Sequence, residues 1–422
     1  MIQSFRVKNI LSIRDEQVLN FVATSDDTYE DICLVNKGSV RLQKLNLIYG
    51  ANASGKSNVL IALSWLLRFI IGKIDKEDGS YMMLAPFLLD DKSREEPTEM
   101  GLVFWVGDVK CEYSVSILED VVQYEKMVHY PLGRAALIYE RRWNRETTSS
   151  EITIGSTLKV LAKQKYVLEG QVLPYLTVLG AYKKSNIERI NLFEDLYAYF
   201  SDQFLPILAR DSEMVDFANK MVKKFPEVKA FITKILQLAD FNISDIVLKE
   251  EIKEIPEEIW REIQQIPSLA ANMPERTVTE DRLYFEHTTP NHTEELLYNN
   301  ESVGTNRMYG LAAYLFFLII DNEIMLADEI ESSLHYDLLR YFISLFLMNS
   351  DGGQIICSTH SILLLDEPFV RRDSIHICRK SANGNTEVVR ASDFGLRKDV
   401  SILNAYREGK LGGMPKLGGL VL

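Results

Sequence analysis

A glycine-rich segment near the N-terminus constrains this chain more than any other feature. It follows an apolar run ending at Ile48-Tyr49 and precedes a run whose apolar residues have helical spacing. A strand, a glycine loop and a helix in this order bring backbone N–H groups and a positive helix N-terminus to bound phosphates. The segment therefore predicts a nucleotide-binding loop, and the alternative is a chance glycine-rich turn. The residues that match the spacing GxxxxGK[ST] are Gly50, Ala51, Asn52, Ala53, Ser54, Gly55, Lys56 and Ser57.

The parts of this loop have separate expected roles. Lys56 would reach the β and γ phosphates, and Ser57 would bind Mg²⁺. The expected ligands are therefore ATP and Mg²⁺. The residues expected to line the phosphates, chiefly through backbone N–H groups, are Gly50, Asn52, Ala53, Ser54 and Gly55.

Composition and charge limit the class of protein. The chain has 422 residues, of which 46% are hydrophobic and 25% charged, as in ordinary globular proteins. The net charge of −13 argues against a free-standing DNA binder, because such domains usually carry a basic surplus. The net charge does not exclude a local basic patch. Four scattered cysteines without a CxxC pair indicate a reducing compartment.

No targeting or membrane segment is predicted. Charges interrupt the N-terminal run MIQSFRVKNILSI, so it does not read as a signal peptide. The longest apolar run, Leu311 to Ile320, is about half of what a bilayer needs. We therefore expect a cytoplasmic protein with no membrane partner.

Three regions follow from the pattern of apolar residues, with boundaries at 1–120, 121–282 and 283–422. The first predicts a hairpin, a buried strand, the loop helix and two strands that turn at Gly107-Asp108. The second is mixed and mainly helical, with Pro206 and Pro226 dividing three helices. Its acidic stretch 249–266 predicts a solvated turn and an amphipathic helix. The third alternates strands and helices.

A second motif lies about 270 residues after the loop. The apolar run Ile324 to Ala327 delivers Asp328 and Glu329, the arrangement of a Walker B strand. Asp328 would hold Mg²⁺ through water, and Glu329 would act as general base towards the attacking water. A strand that ends in two acids is weak evidence alone, and its position after the glycine loop strengthens it.

Two further motifs flank this strand. Ser302, Gly304 and Thr305 precede an apolar helix and are similar to an ABC signature, although an ordinary N-cap is the simpler alternative. His360 ends another apolar strand, where it matches a switch histidine that touches the γ-phosphate; a structural histidine is the alternative. His335 lies where a D-loop would cross a dimer interface, and it fits an interface contact and a helix N-terminus equally well.

The order of these motifs resembles the ABC-type ATPase heads of the SMC and OLD-like group. The finer resemblance is to bacterial RloA/AbiL-like ATPases, carried by FRVKNILSIRDE, ESVGTNRM, DEIESSLH and the closing segment 392–415. It implies an α/β fold: an ABC-type P-loop head with a mixed sheet flanked by helices, an N-terminal antiparallel β lobe and a helical insertion. Two departures are the absence of a recognisable Q-loop glutamine near Pro86-Phe87 and Tyr336 where proline is common.

The same resemblance implies partners and a biological role. It implies a homodimer, or a higher homo-oligomer, that sandwiches ATP between two heads, so that the signature serine and glycine contact the ATP of the other copy. It also implies a sensor or scaffold of an anti-phage system that acts with a separate, nuclease-like effector. About 60 residues follow His360, too few for a nuclease domain in the same chain.

Other functions stay open at this point. An ATP-gated DNA clamp for repair or chromosome maintenance would need long coiled-coil arms or a basic groove. A transporter cassette is usually shorter and lacks an insertion of this size. A nucleotide-locked structural protein would not need Glu329, because a general base serves only hydrolysis.

Overall fold

The computed structural model describes residues 1–74, 85–208, 211–239, 241–266, 275–397 and 400–414. Residues 398, 399 and 415 of the closing segment lie outside the described residues. The described chain divides into two compact units, and each is described by itself. The first comprises Met1–Ala209, Phe317–Ser332 and Ile343–Leu422, and the second comprises Arg210–Phe316 and Ser333–Phe342.

A five-stranded sheet carries the glycine loop in the first unit. Its order is β14-β15-β5-β16-β17, and only β17 runs antiparallel to its neighbour. All five residues of β5 are buried, as expected for a central parallel strand with both faces covered. The strands are β5 (Leu45–Tyr49), β14 (Ile324–Ala327), β15 (Gln354–Ser358), β16 (Ile375–Lys380) and β17 (Thr386–Arg390).

A seven-stranded antiparallel sheet forms the predicted N-terminal β lobe, in the order β10-β9-β8-β7-β6-β1-β2. In β7, buried residues alternate with more exposed ones because only one face covers the core. The boundary placed at residue 120 falls inside this sheet, which continues to Ile154. The strands are β1 (Ile2–Lys8), β2 (Gln17–Asn20), β6 (Thr98–Val106), β7 (Val109–Leu118), β8 (Val121–His129), β9 (Ala136–Asn144) and β10 (Ser149–Ile154).

Helices and a small hairpin complete the first unit. The helix after the glycine loop buries Val59, Leu63, Leu66 and Ile70 in a core shared with the antiparallel lobe. The helices are α1 (Glu30–Cys33), α2 (Lys56–Ile70), α3 (Ala162–Gln171), α4 (Val178–Lys184), α5 (Asn191–Asp202) and α11 (Ile402–Arg407). The small hairpin pairs β3 (Leu34–Lys37) with β4 (Val40–Gln43).

The second unit contains a three-stranded sheet, β11-β12-β13, with helices. Here the prediction of a solvated turn at the start of 249–266 is wrong, because that stretch continues β11 and pairs in register with β12 as far as Glu254. The strands are β11 (Asp245–Glu254), β12 (Thr277–Thr289) and β13 (His292–Leu297). The helices are α6 (Asp211–Lys224), α7 (Pro226–Leu238) and α8 (Glu257–Gln264).

Two longer helices, α9 (Val303–Ile320) and α10 (Tyr336–Asn349), run from the second unit into the first. Among the described residues α9 alone is long and apolar enough to cross a bilayer, and 61% of its 18-residue window is buried inside the protein. The helix thus extends beyond the apolar run 311–320 on which the sequence prediction rested. The predicted α/β fold with an antiparallel lobe and helical insertion is confirmed.

Candidate functional site

The glycine loop joins the central strand of the five-stranded sheet to α2. Gly50 and Gly55 have φ angles of 152° and 104°, in a backbone region that glycine enters without steric penalty. A Cβ atom on Gly55 would lie 2.1 Å from Thr386 Oγ1. Position 55 therefore requires glycine both for its backbone conformation and for space.

A chain of hydroxyl and amide groups braces the loop from outside. Thr386 Oγ1 donates to the carbonyl oxygen of Ser54 at 2.9 Å and accepts from Ser12 Oγ at 2.8 Å. Asn58 Nδ2 donates to the same Ser12 hydroxyl at 2.7 Å. Sequence reasoning assigned no role to these three residues, because Ser12 and Thr386 are 374 positions apart.

Lys56 is folded onto its own loop. Its side chain is buried, and Nζ donates to the carbonyl oxygens of Gly50 at 3.0 Å and Ala51 at 3.2 Å. Burial lowers the pKa of Lys56, and the nearby carboxylates of Asp328 and Glu329 act in the opposite direction. The ammonium group is therefore held at the loop, beside acidic side chains from a different strand.

The other loop residues differ in burial. Asn52 and Ala53 are exposed, and Ser57 is half-buried. Ser54 Oγ is buried and finds no hydrogen-bond partner within the part of the chain that the structure describes. Because buried hydroxyls normally have a partner, a bound phosphate oxygen could satisfy this one.

The acidic pair follows β14, as the sequence predicts. Ser358, at the end of the neighbouring strand, donates its hydroxyl hydrogen to Asp328 Oδ1 and accepts the backbone N–H of Glu329 at 2.8 Å. Glu329 has a φ of 48°, which is uncommon for a residue with a side chain. Ser358 thus holds both acidic residues at one point, a contact that the sequence did not indicate.

His360 lies next to the acidic pair. Its Nε2 is 3.8 Å from Glu329 Oε1, and its backbone N–H donates to Glu331. The second carboxylate oxygen of Glu331 is buried without a hydrogen-bond partner among the described residues. Glu331 also acts electrostatically on Lys56. It is a further acidic residue of the site, missed because it lies beyond the Asp-Glu pair.

Strand direction explains why these groups meet. β14, β15 and β5 are parallel neighbours, so their carboxyl ends lie at the same edge of the sheet. Ligands of open α/β sheets bind at this edge. The structure therefore brings together Lys56, Asp328, Glu329 and His360, which are far apart in sequence.

The signature residues belong to the second unit. Ser302 Oγ accepts the backbone N–H of Thr305 at 3.0 Å, so Ser302 caps α9 in the ordinary way. Ser302 is exposed, Gly304 is half-buried and Thr305 is buried. A Cβ atom on Gly304 would lie 3.3 Å from the carbonyl oxygen of Ser333. The N-cap role is thus observed, and a role at the phosphate of a second copy stays a prediction.

His335 lies at the start of α10. Its carbonyl oxygen accepts the N–H of Leu338 at 3.0 Å, and its Nδ1 is 3.3 Å from Asp337 Oδ2. The imidazole is 76% exposed. The helix N-terminal alternative is therefore observed, and the exposed ring leaves an interface contact as a prediction.

The groups present fit a magnesium nucleotide. Glycine backbone and a buried lysine suit phosphates, while the hydroxyl of Ser57 and the carboxylate of Asp328 are oxygen donors of the kind that Mg²⁺ prefers. In the described residues no group of three or more His, Cys, Asp or Glu side chains could hold a metal by itself. Mg²⁺ is usually bound through one or two carboxylates plus phosphates and water.

Comparisons with known proteins give a family and a set of similar structures. A family model described as an AAA domain matches residues 4–272, and one described as "AAA domain, putative AbiEii toxin, Type IV TA system" matches residues 188–366. No curated protein matches the chain.

Two similar solved structures are SMC heads. One, an SMC head bound to the C-winged helix domain of ScpA, is 15% identical with a TM-score of 0.42, over 96% of this chain and 99% of that one. The other, the SMC head domain from Thermotoga maritima, is 14% identical with a TM-score of 0.42, over 92% of this chain and 98% of that one.

The match to residues 4–272 covers well over half of the chain and includes the glycine loop. With a phosphate loop, an acidic strand end and a histidine at one edge of a parallel sheet, this chain belongs to the AAA domain family.

Proposed function

We propose that the chain is an ATP-binding and ATP-hydrolysing subunit. The observation that carries this proposal is the meeting of the phosphate loop with Asp328, Glu329 and His360 at the carboxyl edge of one parallel sheet. A loop that only bound nucleotide would not need an acidic residue held beside a histidine. Hydrolysis needs a group that orients or activates the attacking water and groups that contact the γ-phosphate, and this pair offers one of each.

Each side chain has a proposed role in this reaction. The Lys56 ammonium group exchanges its hydrogen bonds to loop carbonyl oxygens for bonds to the β and γ phosphates. The loop backbone from Gly50 to Gly55 surrounds these phosphates. Ser57 and Asp328 would hold Mg²⁺, which would neutralise phosphate charge. Glu329 accepts the proton of the attacking water, and His360 contacts the γ-phosphate. Ser358 keeps Asp328 and Glu329 in position through its hydroxyl.

We further propose that two copies sandwich ATP. In this arrangement Ser302, Gly304 and Thr305 of one copy face the γ-phosphate bound to the other, at the positive N-terminus of α9. The exposure of Ser302 supports this, because the residue that caps the helix is itself exposed. The exposed His335 is the proposed contact across the same interface, and a higher homo-oligomer is compatible with it.

The proposed biological role is that of a sensor or scaffold in an anti-phage system, acting with a separate nuclease-like effector. It rests on the resemblance to RloA/AbiL-like ATPases and is supported by the family description that names a putative AbiEii toxin of a type IV TA system. We propose that the protein works in the cytoplasm. Its four described cysteines are free and buried, as expected in a reducing compartment. The proposed ATPase head comprises residues 1–120 and 283–422 together with the strands of the antiparallel lobe that continue to Ile154, and the proposed insertion follows that lobe and extends to residue 282.

The test is ATP turnover with Mg²⁺, read together with molecular mass in solution. We expect Glu329→Gln to bind ATP and to accumulate ATP-bound dimers. Its turnover should fall by about 100-fold or more, which is the scale of losing a general base. Lys56→Ala should lose ATP binding. Glu258→Gln is the matched control, because that exposed carboxylate on α8 undergoes the same chemical change.

Unchanged turnover in Glu329→Gln would contradict the assignment of the base. Tight ATP binding by Lys56→Ala would contradict the assignment of the loop. If the protein stayed monomeric under all nucleotide conditions, the proposal that two copies sandwich ATP would be contradicted. An ATP-gated DNA clamp would instead give dimers that close around DNA and release it on hydrolysis.

A further inference from the structure

A basic segment stands out in this acidic chain. Residues 159–189 contain six basic and two acidic side chains, although the whole protein has a net charge of −13. The segment covers α3, α4 and the turn before α5, all in the first unit. The basic side chains are Lys159, Lys163, Lys165, Lys183, Lys184 and Arg189, and we refer to them as the basic surface.

Most of these charges are exposed. Lys159, Lys163, Lys184 and Arg189 are exposed and form no ion pair among the described residues. The remaining two have acidic neighbours, with Lys165 Nζ 3.6 Å from Glu169 and Lys183 Nζ 3.4 Å from Glu194. Four positive charges are therefore available to an external anion.

Tertiary contacts bring the two halves of the basic surface together. Gln164, between Lys163 and Lys165, donates its Nε2 hydrogen to the carbonyl oxygen of Glu188 at 3.2 Å. Arg189 follows Glu188 directly. The lysines of α3 and the arginine after α4 therefore flank a single hydrogen bond, and the charges form one surface rather than two separate ones.

The turn that carries Lys183, Lys184 and Arg189 is fixed in place. Tyr182 donates its hydroxyl hydrogen to Glu194 at 2.7 Å and accepts the backbone N–H of Ile190 at 3.1 Å. These bonds hold both ends of the turn against α5. A ligand that bound there would not have to order the backbone first, a cost that weakens binding to flexible segments.

An exposed aromatic ring lies among the charges. Tyr166 is 78% exposed and follows Lys163 by three residues, so the two side chains are neighbours on the surface of α3. One turn further on, a Cβ atom built on Gly170 would meet nothing within 4 Å. The face of α3 around the ring is therefore open to a flat ligand.

We propose that the basic surface binds single-stranded nucleic acid, with the lysines and Arg189 on the phosphate backbone and Tyr166 stacked on a base. Single strands are bound elsewhere by this combination, a positively charged track with exposed aromatic rings. An acidic peptide would use the charges and leave the ring without a role. The site lies outside the proposed ATP site and does not depend on hydrolysis.

The α4 helix, which carries part of this surface, also contacts the end of α2, the helix that follows the glycine loop. Thr177, the N-cap of α4, donates its hydroxyl hydrogen to Ile70 O at 2.9 Å, the last residue of α2. A Cβ atom on Gly180 would lie 2.8 Å from the Cα atom of Gly72, so the backbone of α4 contacts the segment directly after α2. Nucleic acid on α4 would thus act on the element that follows the phosphate loop.

The test is fluorescence anisotropy with labelled 20-mers of oligo-dT and oligo-U and a 20-base-pair duplex. Four phosphate contacts give a slope of roughly −3 for log affinity against log salt, or about a 50-fold loss between 50 and 200 mM salt. The triple variant Lys163→Glu, Lys184→Glu, Arg189→Glu should lose binding at 150 mM salt. Tyr166→Ala should weaken single-strand binding about tenfold, on the scale of one lost base stack.

The control changes three exposed lysines that form no ion pair in the part of the chain that the structure describes, Lys92→Glu, Lys220→Glu and Lys234→Glu, and so alters net charge equally. Equal binding by the two triple variants, or binding that does not respond to salt, would overturn the proposal. A duplex bound more tightly than either single strand would overturn the single-strand assignment. Lys56→Ala should bind the oligonucleotides as the wild type does, which keeps this result separate from that of the ATP site.

Discussion

A buried arginine gives the sharpest test of how the antiparallel lobe holds its neighbouring helices. Arg141, on β9, has a fully buried side chain. Its guanidinium donates to Ser150 Oγ at 2.9 Å, to Leu173 O at 3.0 Å, to Pro174 O at 3.2 Å and to Leu176 O. One side chain therefore ties the sheet to the segment that leads into α4.

The same guanidinium faces a buried carboxylate. Glu125 Oε2 is 3.8 Å from Arg141 Nη1, and Glu125 also accepts hydrogen bonds from Tyr139, Tyr113 and the backbone N–H of Val178. Burial raises the pKa of Glu125, and Arg141 opposes that shift. Losing Arg141 would remove the positive charge that faces the Glu125 carboxylate, and it would leave three carbonyl oxygens without this donor.

The change Arg141→Met should therefore be severe. Breaking a buried ion pair costs about 3–5 kcal/mol, and each abandoned carbonyl adds about 1 kcal/mol. Protonation of Glu125 limits the total, so we expect a loss of about 5 kcal/mol in the free energy of unfolding by urea. The neighbouring Arg142 is the matched control, since it is 66% exposed and pairs with Glu140 at 2.7 Å. Arg142→Met should cost at most about 1 kcal/mol.

A double-mutant cycle separates the ion pair from the carbonyl contacts. In Glu125→Gln with Arg141→Met the buried charge is gone, so the double variant should be more stable than the sum of the single losses predicts, by about 0.5–3 kcal/mol. If Arg141→Met falls within about 1 kcal/mol of Arg142→Met, the buried network does not stabilise the lobe and the reasoning fails.

Three further outcomes follow from the site and the core. Gly55→Ala should lose ATP binding in calorimetry and about 2–5 kcal/mol of stability, because φ is 104° and its Cβ atom meets Thr386; ATP affinity within twofold of wild type would contradict this. Ser358→Ala should keep ATP binding while single-turnover hydrolysis falls about tenfold or more, since it frees both acidic residues; an unchanged rate would exclude a positioning role. Burial lowers the pKa of His376 to about 3. Its unfolded form takes up a proton more readily, so stability should fall as pH drops from about 6.5 towards 3, by up to about 1.4 kcal/mol per pH unit. His376→Leu should flatten that dependence in urea titrations, and an unchanged slope would contradict it.

Local patterns predicted most of the elements that carry the site. The buried strand, glycine loop and helix around Lys56 lie where apolar spacing placed them. So do the turn at Gly107-Asp108 and the helices on either side of Pro206 and Pro226. In each case the signal is contained within a few residues, because it depends on side-chain periodicity or on the φ angle of glycine and proline.

The acidic stretch 249–266 was predicted incompletely for a physical reason. Its charges look like a solvated turn when they are read alone. In the structure they face opposite charges on other strands, with Lys253 paired to Glu280 and Glu251 to Arg282 at 2.8 Å. Those partners lie about 30 residues away, and nothing in the stretch itself indicates that a strand will pair with them.

The Q-loop is a second feature that could not be predicted from the sequence, because there is no recognisable glutamine near Pro86-Phe87. In the structure the backbone N–H of Phe87 donates to Asn9 Oδ1 at 3.1 Å, and the described residues around it form no strand. The contact between the lobe and α2 is found elsewhere, at α4. Glu125 of the lobe accepts the N–H of Val178, while Thr177 donates to the last turn of α2.

This link has a mechanical consequence. Two adjacent residues at the start of α4 bond to different elements, so α2 cannot shift along its axis without breaking a bond to Thr177 or displacing Glu125. Both acceptors are buried, and a broken bond would leave a polar group without water or partner, at a cost of about 1–3 kcal/mol. A shift of α2 on nucleotide binding is therefore expected to move α4, and the basic surface with it, as one body.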